Sequence, residues 1–142
     1  HERVTGMPEP VGVGIRQAGA DAVAVALRDS RRHTLTTFAR FEEALGPGLA
    51  VPLQPTLNPP LWELGHIGWF QEFWCRRYRA DDPEAARTPS RLPDADAWWN
   101  SSRVPHATRW TLQLPDWDGI SAYLDATLAD MERVLRTSHG AP

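Results

Sequence analysis

The sequence predicts an all-α fold, an antiparallel four-helix bundle of which this chain carries three helices and long loops. Apolar residues recur at helical spacing in three separate segments, and proline-rich connections divide those segments. Strand alternation, hairpin turns and a glycine-rich phosphate loop are all missing from the sequence pattern. Because an amphipathic helix must bury its apolar face, three such helices predict a bundle.

The first predicted helix covers residues 21–45 and follows a flexible lead-in over residues 1–19, which contains Pro8 and Pro10. Apolar residues recur along the helix every three or four positions, and Gly46, Pro47 and Gly48 end the pattern. We expect the remaining residues, 20–142, to form one partial bundle.

The second predicted helix runs from about Pro59 to Tyr78. Prolines at four positions between residues 52 and 60 keep the preceding connection extended, because proline disfavours helix in the residue before it. Asn58 is predicted to cap this helix, since its side-chain oxygen is a good acceptor for a first-turn N–H. The arginines at the helix end, Arg76, Arg77 and Arg79, are predicted to be solvated.

A long segment without periodicity, residues 80–115, follows the second helix. Loops of this length are uncommon in compact domains and often carry function. Asp118 is predicted to cap a third helix, whose apolar stripe extends from Ile120 to Leu135. Since bundles usually close with four helices, we expect the fourth to lie outside this sequence.

Composition limits the classes of function. The chain has 42% apolar and 23% charged residues, which is ordinary for a soluble globular protein of one domain. A net charge of −3 gives no reason to expect nucleic acid, and no apolar run approaches the roughly 20 residues of a membrane helix. The single cysteine, Cys75, cannot form an internal disulfide. We therefore expect a cytoplasmic protein without membrane or nucleic-acid partners.

The histidine of the second helix, His66, is the first candidate site residue. Helical spacing places it beside Trp62, Trp69 and Phe70, on an aromatic face. A buried neutral imidazole needs partners there, because an unsatisfied buried polar group costs about 1–3 kcal/mol. A metal ion takes one ring nitrogen while an acceptor takes the opposite N–H. Spacing alone favours a hydrogen-bonded core histidine and leaves a ligand or catalytic role open.

Two glycines, Gly65 and Gly68, flank His66. Glycine inside a helix costs up to about 1 kcal/mol relative to alanine. The pair therefore predicts close packing or the approach of a ligand on this side of the helix, with simple contact between helices as the alternative.

Two stretches of sequence resemble a known family. Residues 57–72, LNPPLWELGHIGWFQE, resemble the first iron-ligand motif in the DinB-type N-terminal domain of the ergothioneine sulfoxide synthases and their relatives. Residues 95–104, ADAWWNSSRV, with the continuation through Arg109 and Trp110, are more similar to the selenoneine synthase branch. The resemblance covers roughly residues 28–136.

The resemblance implies a non-haem Fe(II) site with three histidine ligands. His66 matches the first, and we expect the other two, spaced i, i+4, beyond residue 142 together with a C-terminal remainder of the enzyme. These enzymes use O2 to join C2 of the hercynine imidazole to a chalcogen donor. The donor is a selenosugar in the selenoneine branch and a thiol, such as cysteine or γ-glutamylcysteine, in the ergothioneine branch. The isolated chain is accordingly expected to be inactive.

Three residues of the long loop, Arg103, His106 and Arg109, are predicted to bind substrate. They resemble the region that faces the donor in relatives, and the planar fork of arginine suits anionic or hydroxyl-rich ligands. In the alternative interpretation, tryptophans pin this loop to the bundle and the arginines form surface ion pairs. The sequence identifies no catalytic acid or base.

Two other classes of function stay open. One is a different DinB-type enzyme, such as a thiol-dependent transferase with a three-histidine zinc or nickel site. The other is a non-catalytic helical bundle in which His66 only packs.

Overall fold

The computed structural model describes residues 19–78, 80–81 and 88–140, and it is helical. The four α-helices are α1 (Ala20–Leu45), α2 (Pro60–Glu72), α3 (Ala95–Trp99) and α4 (Trp117–Gly140). Within these described ranges there is no β-strand, which confirms the all-α prediction. None of their helices has an apolar stretch long enough to span a bilayer. The predicted lead-in lies outside the described residues, except for Gly19.

Helix α1 matches the predicted first helix to within one residue. Its end is made by Gly46, which has a φ of 87° and donates its N–H to the carbonyl of Glu42 at 2.8 Å. This positive φ is readily adopted by glycine, which has no Cβ, and so Gly46 ends the helix here.

Helix α2 begins at Pro60, with Pro59 at the N-cap position. The cap makes no side-chain hydrogen bond, so the prediction that Asn58 caps this helix is wrong. Asn58 Nδ2 instead donates to Oε1 of Glu63 at 2.5 Å. A π-helical turn, Phe73–Arg77, continues α2, and the backbone becomes extended at Tyr78. The predicted length of about Pro59 to Tyr78 therefore combines two kinds of helix.

The segment predicted to be irregular contains α3 and a 3₁₀ turn, His106–Trp110. Helix α4 then begins at Trp117, and Asp116 rather than Asp118 caps it, because the N–H of Gly119 donates to Asp116 Oδ1 at 2.8 Å. The prediction of Asp118 as the cap is wrong since the helix already includes Trp117, a half-buried residue that packs against the core.

The core forms where α2, α3 and α4 meet. Helix α4 packs against both α1 and α2, whereas α1 and α2 contact each other much less. The buried cluster is dominated by large apolar and aromatic side chains and consists of Trp62, Leu64, Trp69, Ala95, Trp99, Ile120, Tyr123 and Leu124. Because α3 packs on α2, it brings its C-terminal end to the side chain of His66.

Candidate functional site

The imidazole of His66 lies in a row of aromatic rings along α2. Its ring is nearly parallel to that of Trp62, with centroids 4.8 Å apart and an interplanar angle of 9°. The ring of Trp69 lies at 5.8 Å and that of Phe70 at 6.2 Å. These contacts confirm the neighbours expected from helical spacing. His66 itself is half-buried.

A backbone carbonyl determines which nitrogen of His66 carries the proton. Nδ1 lies 2.8 Å from the carbonyl oxygen of Trp99. Since a carbonyl oxygen only accepts hydrogen bonds, Nδ1 must be the N–H donor, and the lone pair of the neutral ring then lies on Nε2. In the part of the chain that the structure describes, Nε2 has no hydrogen-bond partner. His66 therefore has the tautomer of a metal ligand that binds through Nε2, and the lone pair of that nitrogen has no partner among the described residues.

The end of α3 is attached to α2 through two such carbonyl groups. Carbonyls in the last turn of a helix lack partners within the helix. The carbonyl of Trp98 accepts a 2.6 Å hydrogen bond from Trp62 Nε1, and the carbonyl of Trp99 accepts the one from His66. These two hydrogen bonds thus give partners to carbonyls at the end of α3, and they orient the side chains of Trp62 and His66 in the aromatic row of α2.

The close packing predicted at the two glycines of α2 is confirmed. A Cβ atom on Gly65 would lie 2.2 Å from Cε2 and Cζ2 of Trp99. A Cβ on Gly68 would lie 2.7 Å from a terminal methyl of Leu124. Gly65 thus makes room for the residue whose carbonyl binds His66, and Gly68 makes room for α4.

The guanidinium of Arg109 binds groups of the same chain. It lies over the Trp62 ring at 4.1 Å, and its NH1 donates to Asn58 Oδ1 at 2.9 Å. NH2 donates to the carbonyls of Val104 at 3.0 Å and Ser101 at 3.2 Å. These contacts join the loop after α3 to the start of α2. They differ from the surface ion pairs of the alternative interpretation, because the partners of Arg109 are carbonyl oxygens and an aromatic ring.

His106 also has a partner within the chain. Its Nε2 donates to the carbonyl of Leu57 at 2.6 Å, and its ring packs edge-on against Trp110, with centroids 5.0 Å apart. Trp110 Nε1 in turn donates to the carbonyl of Val51 at 3.1 Å. The 3₁₀ turn is therefore held against the connection between α1 and α2.

Arg103 differs from the other two predicted substrate residues because it is exposed and its side chain makes no hydrogen bond or ion pair within the described ranges. It lines a groove of about 350 Å³. Aromatic residues of α2 and its π-turn and polar residues 100–102 complete the lining: Trp69, Phe70, Phe73, Trp74, Tyr78, Asn100, Ser101 and Ser102. Trp69 and Phe70 also contact the His66 ring, so the groove adjoins the candidate ligand. That these three residues bind substrate stays a prediction.

His66 does not belong to a complete metal site within the described residues. Nowhere in those ranges do three His, Cys, Asp or Glu side chains come close enough together to hold a metal ion. A metal bound at His66 would need further ligands from elsewhere.

A comparison of the sequence with models of protein families identifies the family of this chain. The family model described as the DinB superfamily matches residues 26–142, which is most of the chain. The chain belongs to the DinB superfamily. This membership confirms the DinB-type domain predicted from the motif around His66, although the selenoneine synthase branch stays a prediction. No curated protein matches this DinB domain.

The DinB domain also contains a buried carboxylate, Glu72, whose side chain is fully removed from solvent. It accepts hydrogen bonds from the N–H of Arg91 at 2.9 Å, Tyr123 OH at 2.8 Å, Arg76 NH2 at 3.0 Å and Ser90 Oγ. Burial raises the pKa of Glu72, but these hydrogen bonds outweigh burial and the pKa is lowered. Glu72 was not predictable as a buried carboxylate from the sequence, because most of its hydrogen-bond partners lie 18 or more residues away.

The prediction that the arginines at the end of α2 are solvated is wrong for Arg77, and Arg76 is half-buried with a hydrogen bond to Glu72. Arg77 is 4% exposed and donates to both carboxylate oxygens of Asp96, at 2.7 and 2.9 Å. The hydrogen bond to Asp96 raises the pKa of Arg77. Trp69 Nε1 donates to the same carboxylate at 2.7 Å, which ties α3 to the aromatic row. Arg79 lies outside the described residues.

Proposed function

We propose that this DinB domain is the N-terminal part of a non-haem Fe(II), O2-dependent selenoneine synthase. The enzyme would join the selenium of a selenosugar to C2 of the hercynine imidazole. One observation carries the proposal: His66 donates from Nδ1 to a carbonyl and leaves the lone pair of Nε2 without a partner. The sequence resemblance around His66 and around residues 95–104 supports the choice of reaction and donor.

The described residues can supply one protein ligand of an iron site. His66 would bind Fe(II) through Nε2, and two histidines beyond residue 142 would supply the other protein ligands. Fe(II), when bound, would provide open coordination positions for O2 and substrate. Trp62 and Trp69 flank the imidazole and restrict its rotation, while the Trp99 carbonyl keeps the N–H on the opposite nitrogen.

The groove beside His66 suits the donor. Aromatic faces from α2 offer a surface for an apolar sugar face, and Asn100, Ser101 and the guanidinium of Arg103 offer hydrogen bonds to hydroxyl groups. Since Trp69 and Phe70 line the groove and also contact His66, a donor bound there would lie beside the metal ligand.

The proposed reaction balances with O2 as the oxidant. The new C–Se bond replaces the imidazole C2–H bond and the Se–H bond of the selenol, which releases two electrons and two protons. Reduction of O2 consumes four electrons. The balance closes when one oxygen atom leaves as water and the other is retained on selenium as a selenoxide.

The test uses the complete gene product, reconstituted anaerobically with Fe(II). Iron content is measured by metal analysis, and products are identified by mass spectrometry after addition of hercynine, O2 and either a selenosugar or a thiol. His66→Ala should abolish stoichiometric iron, whereas His33→Ala, a change at an exposed histidine of α1, should retain it.

The outcomes separate the alternatives. A C–Se product from the selenosugar supports the proposal. Product from the thiol alone assigns the chain to the ergothioneine branch and rejects the selenium donor. Retention of iron and activity by His66→Ala would overturn the role of His66, and absence of product with either donor would leave only a packing role or a different DinB chemistry.

A further inference from the structure

The contact between Gly65 and Trp99 restricts where Trp99 can lie. The Trp99 side chain is fully buried, and its ring stacks on Tyr123 with centroids 5.4 Å apart and an interplanar angle of 11°. Its indole also occupies the space in which any residue other than glycine at position 65 would place a Cβ, 2.2 Å from two ring atoms. A displacement of the indole would therefore move the last residue of α3.

That last residue provides the only described acceptor for His66. Trp99 ends α3, so its carbonyl is free of intrahelical bonds and accepts from His66 Nδ1 at 2.8 Å. An imidazole without such an acceptor exchanges its proton between the two nitrogens. The position of this carbonyl consequently decides which nitrogen of His66 keeps its lone pair.

We propose that Trp99, seated against Gly65, is a positioning residue that holds His66 in the Nδ1–H tautomer and so keeps the lone pair on Nε2. That this tautomer serves metal binding rests on the proposed function. The tautomer itself is a property of the metal-free chain. The alternative is that Gly65 only permits close packing of α2 on α3, with no effect on His66.

The experiment measures the His66 tautomer directly in the 142-residue chain. Protein labelled with ¹⁵N-histidine is studied by long-range ¹H–¹⁵N NMR at a pH at which histidines are neutral. The His66 signals are assigned by their loss in His66→Ala. Gly65→Ala should displace Trp99, weaken the hydrogen bond and lower the ratio of Nδ1–H to Nε2–H tautomer roughly three- to tenfold.

Two further variants distinguish positioning from general damage to the helix. Gly68→Ala makes the same change three residues later, but its Cβ meets Leu124 at 2.7 Å and Tyr123 at 3.2 Å rather than the Trp99 indole, so the tautomer ratio should change less than in Gly65→Ala. The double variant Gly65→Ala, Trp99→Phe replaces the indole with a smaller ring and should restore the Nδ1–H form. Amide spectra confirm that each variant is folded.

Several results would overturn the inference. These are a wild-type His66 in the Nε2–H form, a folded Gly65→Ala variant with an unchanged ratio, an equal effect of Gly68→Ala, or no recovery in the double variant. If the tautomer behaves as expected but the complete gene product binds no iron, the proposed function fails while the positioning role of Trp99 stands. Iron binding that persists with an unchanged tautomer in Gly65→Ala rejects the positioning role alone.

Discussion

The hydroxyl of Tyr123 donates a 2.8 Å hydrogen bond to Oε1 of Glu72, and both side chains are almost completely buried. This bond joins α4 to α2. Burial and the neighbouring Glu72 carboxylate raise the pKa of Tyr123, so the phenol remains a donor. The Tyr123 ring stacks on Trp99, and the same residue therefore supports both the buried carboxylate and the positioning residue.

Tyr123→Phe should lower the free energy of unfolding by about 1–2 kcal/mol, because it removes one hydrogen bond to a charged group and keeps the ring. The matched change Tyr78→Phe removes a hydroxyl that is partly exposed and lacks a described partner. It should alter stability by no more than about 0.5 kcal/mol. Urea denaturation measures both values, and equal losses would contradict the role assigned to the Tyr123 hydroxyl.

Stability should decrease in acid because of Glu72 and Asp130. The hydrogen bond from Arg91 lowers the pKa of Asp130, and the pKa of Glu72 is lowered as well. A carboxylate whose pKa is lower when folded stabilises the protein fully above its unfolded pKa, about 4, and this contribution is lost as pH falls through the folded pKa. The free energy of unfolding should therefore decline below about pH 4.

The variant Glu72→Gln measures how much Glu72 contributes to the loss of stability in acid. The substitution should lower the free energy of unfolding by about 3 kcal/mol at neutral pH, because Arg76 and the other hydrogen-bond donors around residue 72 lose the buried negative charge. Its free energy of unfolding should then decline less steeply in acid than that of the wild type. Glu43→Gln, at an exposed position of α1, should leave the pH profile unchanged. Parallel profiles for Glu72→Gln and wild type would refute this account.

Asp96→Asn should loosen α3, because it removes the charge that pairs with the buried guanidinium of Arg77. We expect a loss of about 2 kcal/mol, reduced by the partial exposure of Asp96. Asp94→Asn, two residues earlier and exposed, should change stability by less than about 0.5 kcal/mol. Chemical denaturation measures the loss of stability, and amide hydrogen exchange measures the opening of α3. Equal exchange rates of α3 in the two variants would contradict the role of the Arg77–Asp96 pair in holding this helix.

Arg109→Lys and Arg103→Lys should have different effects. Lysine at 109 loses the planar fork that reaches Asn58 and Val104 together, so stability should fall by about 1–2 kcal/mol. Lysine at 103, an exposed position whose side chain has no partner in the described ranges, should leave stability unchanged and raise the KM for the donor in the complete protein. A stable Arg109→Lys variant would show that the loop is held by other contacts.

The long helices and the aromatic neighbours of His66 were predictable because they depend on local spacing. Residues 21–45 show their apolar period along one stretch of chain, and helical geometry alone brings Trp62 and Phe70 next to His66. The caps were harder to predict. Asn58 and Asp118 are both good cap residues, but the helices begin where packing places Pro60 and Trp117.

Arg77 and Glu72 show the limit of a single sequence more clearly. Their charges predict exposure, yet Asp96 and Tyr123 bury them by supplying partners from distant segments. No spacing rule identifies such partners, since α3 and α4 reach them only after the chain has folded.

An all-α DinB domain and the importance of His66 follow from the sequence, because helical period, glycines and the surrounding motif are local properties. The chemical state of that histidine depends on the packing of distant segments. The carbonyl of Trp99, 33 residues away, accepts its Nδ1–H and leaves Nε2 available. A backbone carbonyl is common to every residue, and only folding determines which of them reaches the imidazole.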